Sequence, residues 1–157
     1  MQNKRIELDS IDSRLLAALQ RNAHLTSQEL SEELNLSASQ INRRRHRLEN
    51  NGVIAGYSAR LTPTAVGLTV QAFIQVQMEA HAPERARAFA TLISTRPEIT
   101  SAWTLTGEAD YLLRAWCQDL GALNHLIHDV LLPHPSVARV QSQIVMDQLK
   151  ADAPLPT

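Results

Sequence analysis

The 157-residue chain contains a single cysteine, so no internal disulfide can form, and any closed zinc site would have to do without a cysteine pair. In the apolar run DYLLRAWC, Cys117 reads as a small buried core residue. No stretch approaches the roughly 18 consecutive apolar residues of a membrane span. The opening MQNKRIELDSIDSRLL also lacks the continuous apolar core of a secretory signal. These absences predict a soluble cytoplasmic protein. Net charge is nearly absent as well, at −1.

That small net charge hides a division along the chain. Residues 1–61 carry nine Lys/Arg against seven Asp/Glu, and residues 62–157 carry six against nine. Within residues 37–60 the cations are Arg43, Arg44, Arg45, Arg47 and Arg60, with Glu49 the only acid. A concentrated field of one sign is what an anionic polymer feels. With 44% hydrophobic residues the chain can build one ordinary packed domain or two small ones.

Helical spacing of Ile11, Leu15, Leu16 and Leu19 after a capping Asp9 predicts a first helix. Thr26 with Glu29, and Ser37 with Gln40, have capping-box spacing. They open a short helix from Ser27 to about Asn35 and a third that runs to the NNG stop at Gly52. Two short helices joined by the tight NLS turn are a helix-turn-helix, whose second helix enters the major groove of duplex DNA. Ser39, Gln40, Asn42 and Arg43 are the candidate base readers, since Gln and Asn pair with adenine and Arg with guanine. Arg44, His46, Arg47 and Arg60 are candidate phosphate contacts. Arg45 falls on the side of Ile41 and Leu48, so its stem should pack while its head reaches solvent or a carboxylate, with Asp12, Glu29 and Glu33 as possible partners.

Residues 57–61 are β-prone and, with Pro63 and Gly67 following, read as a strand-like connector. Beyond it, Val70, Ala72, Ile74, Val76 and Met78 alternate with polar residues as a half-buried strand does. A helix with Ala86, Phe89, Ala90 and Ile93 on one stripe comes next, then ITSAWTLTG and DYLLRAWC as a hairpin. DLGALNHLIHDVLL forms a second helix, and VARVQSQIVMDQL closes as a strand. The order β-α-β-β-α-β is that of a ferredoxin-like domain, so the fold class is α+β. Apolar residues on both strand faces, such as Leu112 and Trp116 against Tyr111 and Leu113, predict dimerisation through the open sheet face. The expected domains are a helix-turn-helix at 1–53, a linker at 54–67, the ferredoxin-like half at 68–149 and a tail at 150–157, disordered or laid along a neighbour.

From Leu8 to about Leu149 the chain resembles the Lrp/AsnC (feast/famine) family of transcriptional regulators. The resemblance rests on LDSIDSRLLAALQRNAHLTSQELSEELNLS, RLENNGVIAGYSARL and TGEADYLLRAW. It implies a homodimer, often four dimers in a ring, and an amino acid effector held in the second domain, called RAM for regulation of amino acid metabolism. Carried over, the effector residues are Thr104, Thr106, Gly107, Glu108, Asp110 and Tyr111; Ser142 and Gln143 of the last strand are candidates to complete the pocket from another subunit. A turn at Gly107 would offer backbone N–H groups to an α-carboxylate and Asp110 an acceptor to an α-ammonium. The same TGEAD residues are also those of a plain hairpin turn. Arg45 departs from the family's usual apolar residue there. No cofactor is expected. Three rival readings stand beside this one: a metal site at His125, His128, Asp129 and His134; a siroheme-decarboxylase-like enzyme of the same fold; and a nucleoid-type architectural protein with little sequence preference.

Overall fold

The computed structural model describes residues 6–79 and 83–157. They divide into two compact units, one running to Ala59 and including Lys150–Thr157, the other spanning Arg60–Leu149.

The first unit is three helices: α1 (Ser10–Arg21), α2 (Ser27–Leu34) and α3 (Ala38–Asn50). Each opens with a complete capping box, formed by Asp9 with Asp12, Thr26 with Glu29 and Ser37 with Gln40, which satisfies amide groups the helix cannot satisfy itself. The α2–α3 turn is tight because Asn35 takes the left-handed conformation at φ 56°, which a short polar side chain tolerates. At the far end of α3, the Val53 amide donates to the Leu48 carbonyl and the Gly52 amide to that of Glu49, both at 2.9 Å. This Schellman arrangement, with Gly52 at φ 70°, drops Val53 back onto the core. Leu15, Leu16, Ala18, Leu19, Leu30, Leu34, Ile41 and Leu48 are that core.

Residues 57–61 form no strand in the described structure. A strand needs a partner for its backbone groups, and among the described residues no segment lies alongside these in a ladder. A single 3-10 turn, Pro63–Val66, leads into the second unit.

That unit contains β1 (Val70–Met78), α4 (Pro83–Ser94), β2 (Ile99–Thr104), β3 (Tyr111–Cys117), α5 (Leu120–His125) with a π-helical continuation at Leu126–Leu131, and β4 (Val137–Ile144). The sheet order is β2-β3-β1-β4, antiparallel throughout, as in ferredoxin-like folds. The alternation read from β1 is observed: Ala72, Ile74, Val76 and Met78 face the helices, joined by Leu113, Ala115 and Cys117 of β3. Phe89, Leu123, Leu126, Val130 and Leu131 close the core from the helix side. Ala90 of the expected stripe is exposed, and Leu92 and Ile93 pack beside Phe89 instead.

In the described structure the tail lies along α1 of its own chain. The Gln20 carboxamide accepts from the Leu155 amide at 2.6 Å and donates to the Leu155 carbonyl at 3.1 Å, and the Thr157 hydroxyl donates to the Ser13 carbonyl at 3.4 Å. One primary amide thus mimics the two-bond pairing of a strand neighbour, which an extended segment accepts readily.

Candidate nucleic-acid interface and ligand cavity

Helix α3 is anchored by two fully buried residues, Ile41 and Leu48, seven apart on its inner face. Ser39, Gln40, Asn42, Arg43, His46 and Arg47 are exposed around the rest of the helix, and Arg44 and Arg45 are half-buried. The polar side chains at its start are partly engaged. Gln40 Oε1 accepts from the Ser37 amide at 3.0 Å, Ser39 Oγ lies 3.0 Å from Ser37 Oγ, and the Ser27 hydroxyl donates to Asn42 Oδ1.

The four arginines of the run divide by their partners. Arg44 Nη1 donates to Asp9 Oδ2 at 2.6 Å and to Asp12 Oδ1 at 2.8 Å, and Arg47 Nη2 donates to Asp12 Oδ2. Asp12 is completely buried, and its Oδ2 also takes the Asp9 amide at 3.2 Å. Two guanidiniums and an amide thus supply the hydrogen bonds that a fully buried carboxyl needs. The same neighbours act on Asp9: the Asp12 amide first and then Arg44 hold its carboxyl below the ordinary 3.8. Arg43 makes no hydrogen bond or ion pair among the described residues, so its guanidinium is the one in the run with its donors uncommitted. Arg43, Arg44, Arg47 and Asp9 border a hollow of about 310 Å3. Three guanidiniums around one concavity suit a phosphate oxygen.

Arg45 does not meet any of its three expected partners. Asp12 is occupied by Arg44 and Arg47, and Glu33 accepts from Arg21 at 2.6 Å. Glu29 closes the cap of α2. Arg45 Nε instead donates to Tyr57 Oη at 2.9 Å and Glu49 Oε1 at 3.2 Å, with its guanidinium 4.8 Å from the Tyr57 ring centre. The Tyr57 hydroxyl completes the triangle by donating to Glu49 Oε1 at 2.9 Å. Hydrogen bonding from Tyr57, then from Arg45 and His46, holds the Glu49 carboxyl below its ordinary 4.5. Tyr57 is thus pinned to α3 by its side chain although its backbone has no strand partner among the described residues. Arg60 lies past Ala59, in the residues of the second unit.

In the second unit the hairpin turn is built around Asp110. Its amide donates to the Val76 carbonyl at 3.0 Å, its carbonyl accepts from Leu105 at 2.8 Å, and its Oδ2 accepts from the Met78 amide at 2.7 Å. Asp110 therefore ties the turn to the end of β1. Gly107, at φ 118°, supplies a conformation that side chains resist. The remaining effector candidates separate between the two sides of the sheet. The Tyr111 ring packs tilted against Phe89, centres 4.9 Å apart, on the helix side, Thr104 stands across from Tyr111, and Ser142 pairs with the inward-facing Ile74. Gln143 pairs with Phe73 on the open side, and Thr106 and Glu108 are exposed in the turn.

On that open side, Gln75 and Gln77 of β1, Arg139 and Gln141 of β4, and Glu108 and Ala109 of the turn line a cavity of about 250 Å3. Of the residues named from sequence, Glu108 alone lines it. Gln75 and Gln77 are outward positions of the alternation in VQAFIQVQM, and Arg139 and Gln141 hold the corresponding places in VARVQSQI, a polar set that the inward apolar period does not mark. Among the described residues no three His, Cys, Asp or Glu side chains are gathered as metal ligands. His125 pairs with Asp129 at 2.7 Å, and His134 packs edge-on against Phe89. Burial pushes the Cys117 thiol up. No helix among the described residues is long and apolar enough to cross a membrane.

Comparison with known proteins agrees with this architecture. Residues 8–55 match the winged helix-turn-helix DNA-binding family model, and residues 71–155 match the Lrp/AsnC ligand binding domain. The DNA-binding transcriptional activator DecR of Escherichia coli is 34% identical over 95% of this chain and 98% of its own. The leucine-responsive regulatory protein of Rhizobium meliloti is 33% identical over 93% and 94%. Among solved structures, a transcriptional regulator from Neisseria meningitidis in complex with L-Met superposes with a TM-score of 0.92 at 40% identity, covering 96% of this chain and 97% of that one. The chain belongs to the Lrp/AsnC family of transcriptional regulators, with a helix-turn-helix DNA-binding unit and a ferredoxin-like ligand-binding domain.

Proposed function

We propose that this protein regulates transcription by placing α3 in the major groove of duplex DNA and by letting an amino acid, held in the second unit, change how copies associate. The observation that carries the DNA half is the division of the arginine run. Asp9 and Asp12 fix Arg44 and Arg47 against α1, and Glu49 with Tyr57 fixes Arg45, while Arg43 remains outward beside Ser39, Gln40, Asn42 and His46. Arg43 with Ser39, Gln40 and Asn42 then reads base edges, and Arg44, Arg47, His46 and Arg60 meet phosphates, their guanidiniums held in position by the acids behind them. The resemblance to a regulator solved with L-Met supports an amino acid as effector.

The protein works as a homodimer or a ring of dimers, in the cytoplasm where its DNA lies, by binding rather than by catalysis. Half-buried and exposed apolar residues on the open sheet face, Phe73, Leu112, Trp116 and Trp103, support association through that face. Two copies would then present two α3 helices to successive half-sites. Fluorescence anisotropy with a duplex carrying the protein's own upstream region tests the reading. Saturable binding that random duplex competes poorly, and that the effector amino acid shifts, is the expected result. Equal competition by random duplex would instead favour a nucleoid-type protein.

A further inference from the structure

The end of the sheet away from the β2–β3 turn holds a second cavity, of about 460 Å3, within the ~300–1,000 Å3 range of small-molecule sites. It lies where β2 slips register against β3 between Ile99 and Ser101, a bulge that leaves Thr100 exposed at the sheet edge. Its walls are largely apolar, formed by Leu68, Pro97, Trp116, Cys117 and Ala122. Among the described residues, Glu98 is the only charged side chain that lines it, and no cation does. Glu98 Oε2 is buried without a hydrogen-bond partner. Among the described residues its carboxylate also makes no ion pair, not even with Arg96 two positions earlier, whose Nε is likewise buried and unpartnered. Burial first, and then the charges of Glu98 and Asp119, push the neighbouring Cys117 thiol up, so the field in this part of the hollow is negative. A carboxylate oxygen held away from water with no donor is costly, and a ligand that brings it a donor and a positive charge removes that cost.

We propose that this cavity binds a primary amine carried on an apolar stem, at a place distinct from the amino acid binding proposed above. The ammonium donates to Glu98 Oε2, and the indole of Trp116 offers its face to the same charge. The stem occupies the apolar space bounded by Leu68, Pro97 and Ala122. A free amino acid is rejected, because its α-carboxylate would enter a hollow that already holds an unpaired carboxylate and has no cation among its described lining residues. The ligand class is therefore that of amino acids that have lost their carboxyl group, with 2-phenylethylamine and pentylamine as representatives.

Isothermal titration of the full-length protein, in its own assembly, with these two amines tests the proposal. Both should bind saturably, and an excess of L-phenylalanine or 3-phenylpropanoate, which share the aromatic stem but carry a carboxylate, should not displace 2-phenylethylamine. Glu98→Gln should weaken both amines by about tenfold or more, the loss that one hydrogen bond between charged groups implies. The thermal midpoint of the unliganded variant should not fall, because the carboxylate has no protein partner to lose. Gln118→Lys, at an exposed position lining the cavity, should also weaken both amines by bringing an ammonium of the chain's own to the hollow. No heat with either amine, binding that Glu98→Gln leaves unchanged, or displacement by L-phenylalanine or 3-phenylpropanoate overturns the proposal, and leaves the amino acid reading of the second unit as it stands.

Discussion

At the scale of single residues, Asp12 organises the DNA-binding unit although it never faces DNA. It caps α1, neutralises two guanidiniums and is wholly buried. Its replacement by Ala should cost about 1.5–3 kcal/mol, the range for hydrogen bonds to charged groups, read as a fall in thermal midpoint. The Arg44 side chain is 23% exposed and that of Arg47 42%, so both guanidiniums can partly rehydrate, which keeps the loss below that of a sealed ion pair. Arg43→Ala should do the reverse, leaving the midpoint within about 0.5 kcal/mol of the parent, as for an exposed residue, while relaxing sequence preference for DNA. A pH titration follows from Asp9 and Glu49. Both carboxyls are held below their ordinary values in the folded protein. Their contribution is complete above the unfolded values, 3.8 and 4.5, and is lost as pH falls through the lower folded ones. The midpoint should stay level from neutrality to about pH 5 and decline below, and Asp9→Asn with Glu49→Gln should make that decline shallower. An equally steep decline in the double variant would remove these two groups from the explanation.

At the scale of elements, the helices were legible because their ends are written in local chemistry. Asp9, Thr26 and Ser37 begin them, Asn35 and Gly52 end them, and capping needs no knowledge of the rest of the fold. The ferredoxin-like order was legible from period alone. What local pattern could not supply was the partner of each charge: Arg45 was aimed toward the core correctly, but Glu49 and Tyr57 reach it only once α3 has ended and the chain has turned back. The strand expected at 57–61 failed for the complementary reason, since propensity makes an extended segment but only a neighbour makes a ladder. Asp110 was read from family likeness as a ligand acceptor, whereas its carboxylate already holds the Met78 amide. Asp110→Ala should therefore lower the thermal midpoint of the second unit, by about 1–3 kcal/mol for a part-buried amide left without its acceptor. In the same turn, Gly107→Ala should cost about 1–3 kcal/mol from backbone strain alone, because an added Cβ would meet nothing within 4 Å. An unchanged midpoint in either variant would show that the turn relaxes freely.

At the scale of the whole molecule, the chain joins two units with different chemistry. In one, Arg43 is the single guanidinium of the arginine run without an ion-pair partner among the described residues. The other leaves a polar cavity with uncommitted groups and an apolar region on the same open sheet face. Effector control in such a design needs a ligand whose affinity differs between assembly states. Sedimentation velocity with and without the bound amino acid should show a change in the distribution of dimers and larger species, and an identical distribution would move the control elsewhere.

The most direct test of the central claim, that α3 is a DNA-reading helix with Arg43 outward, is the salt dependence of binding to its own upstream duplex, measured for the parent and for Arg43→Ala. The expected result is a linear fall of log affinity with log salt in the parent, at about 0.9 per phosphate neutralised. Arg43→Ala should bind more weakly and discriminate less between its own and random duplex. Absence of binding to any duplex at low salt, with and without amino acids, or a parent and variant that behave alike, would contradict it.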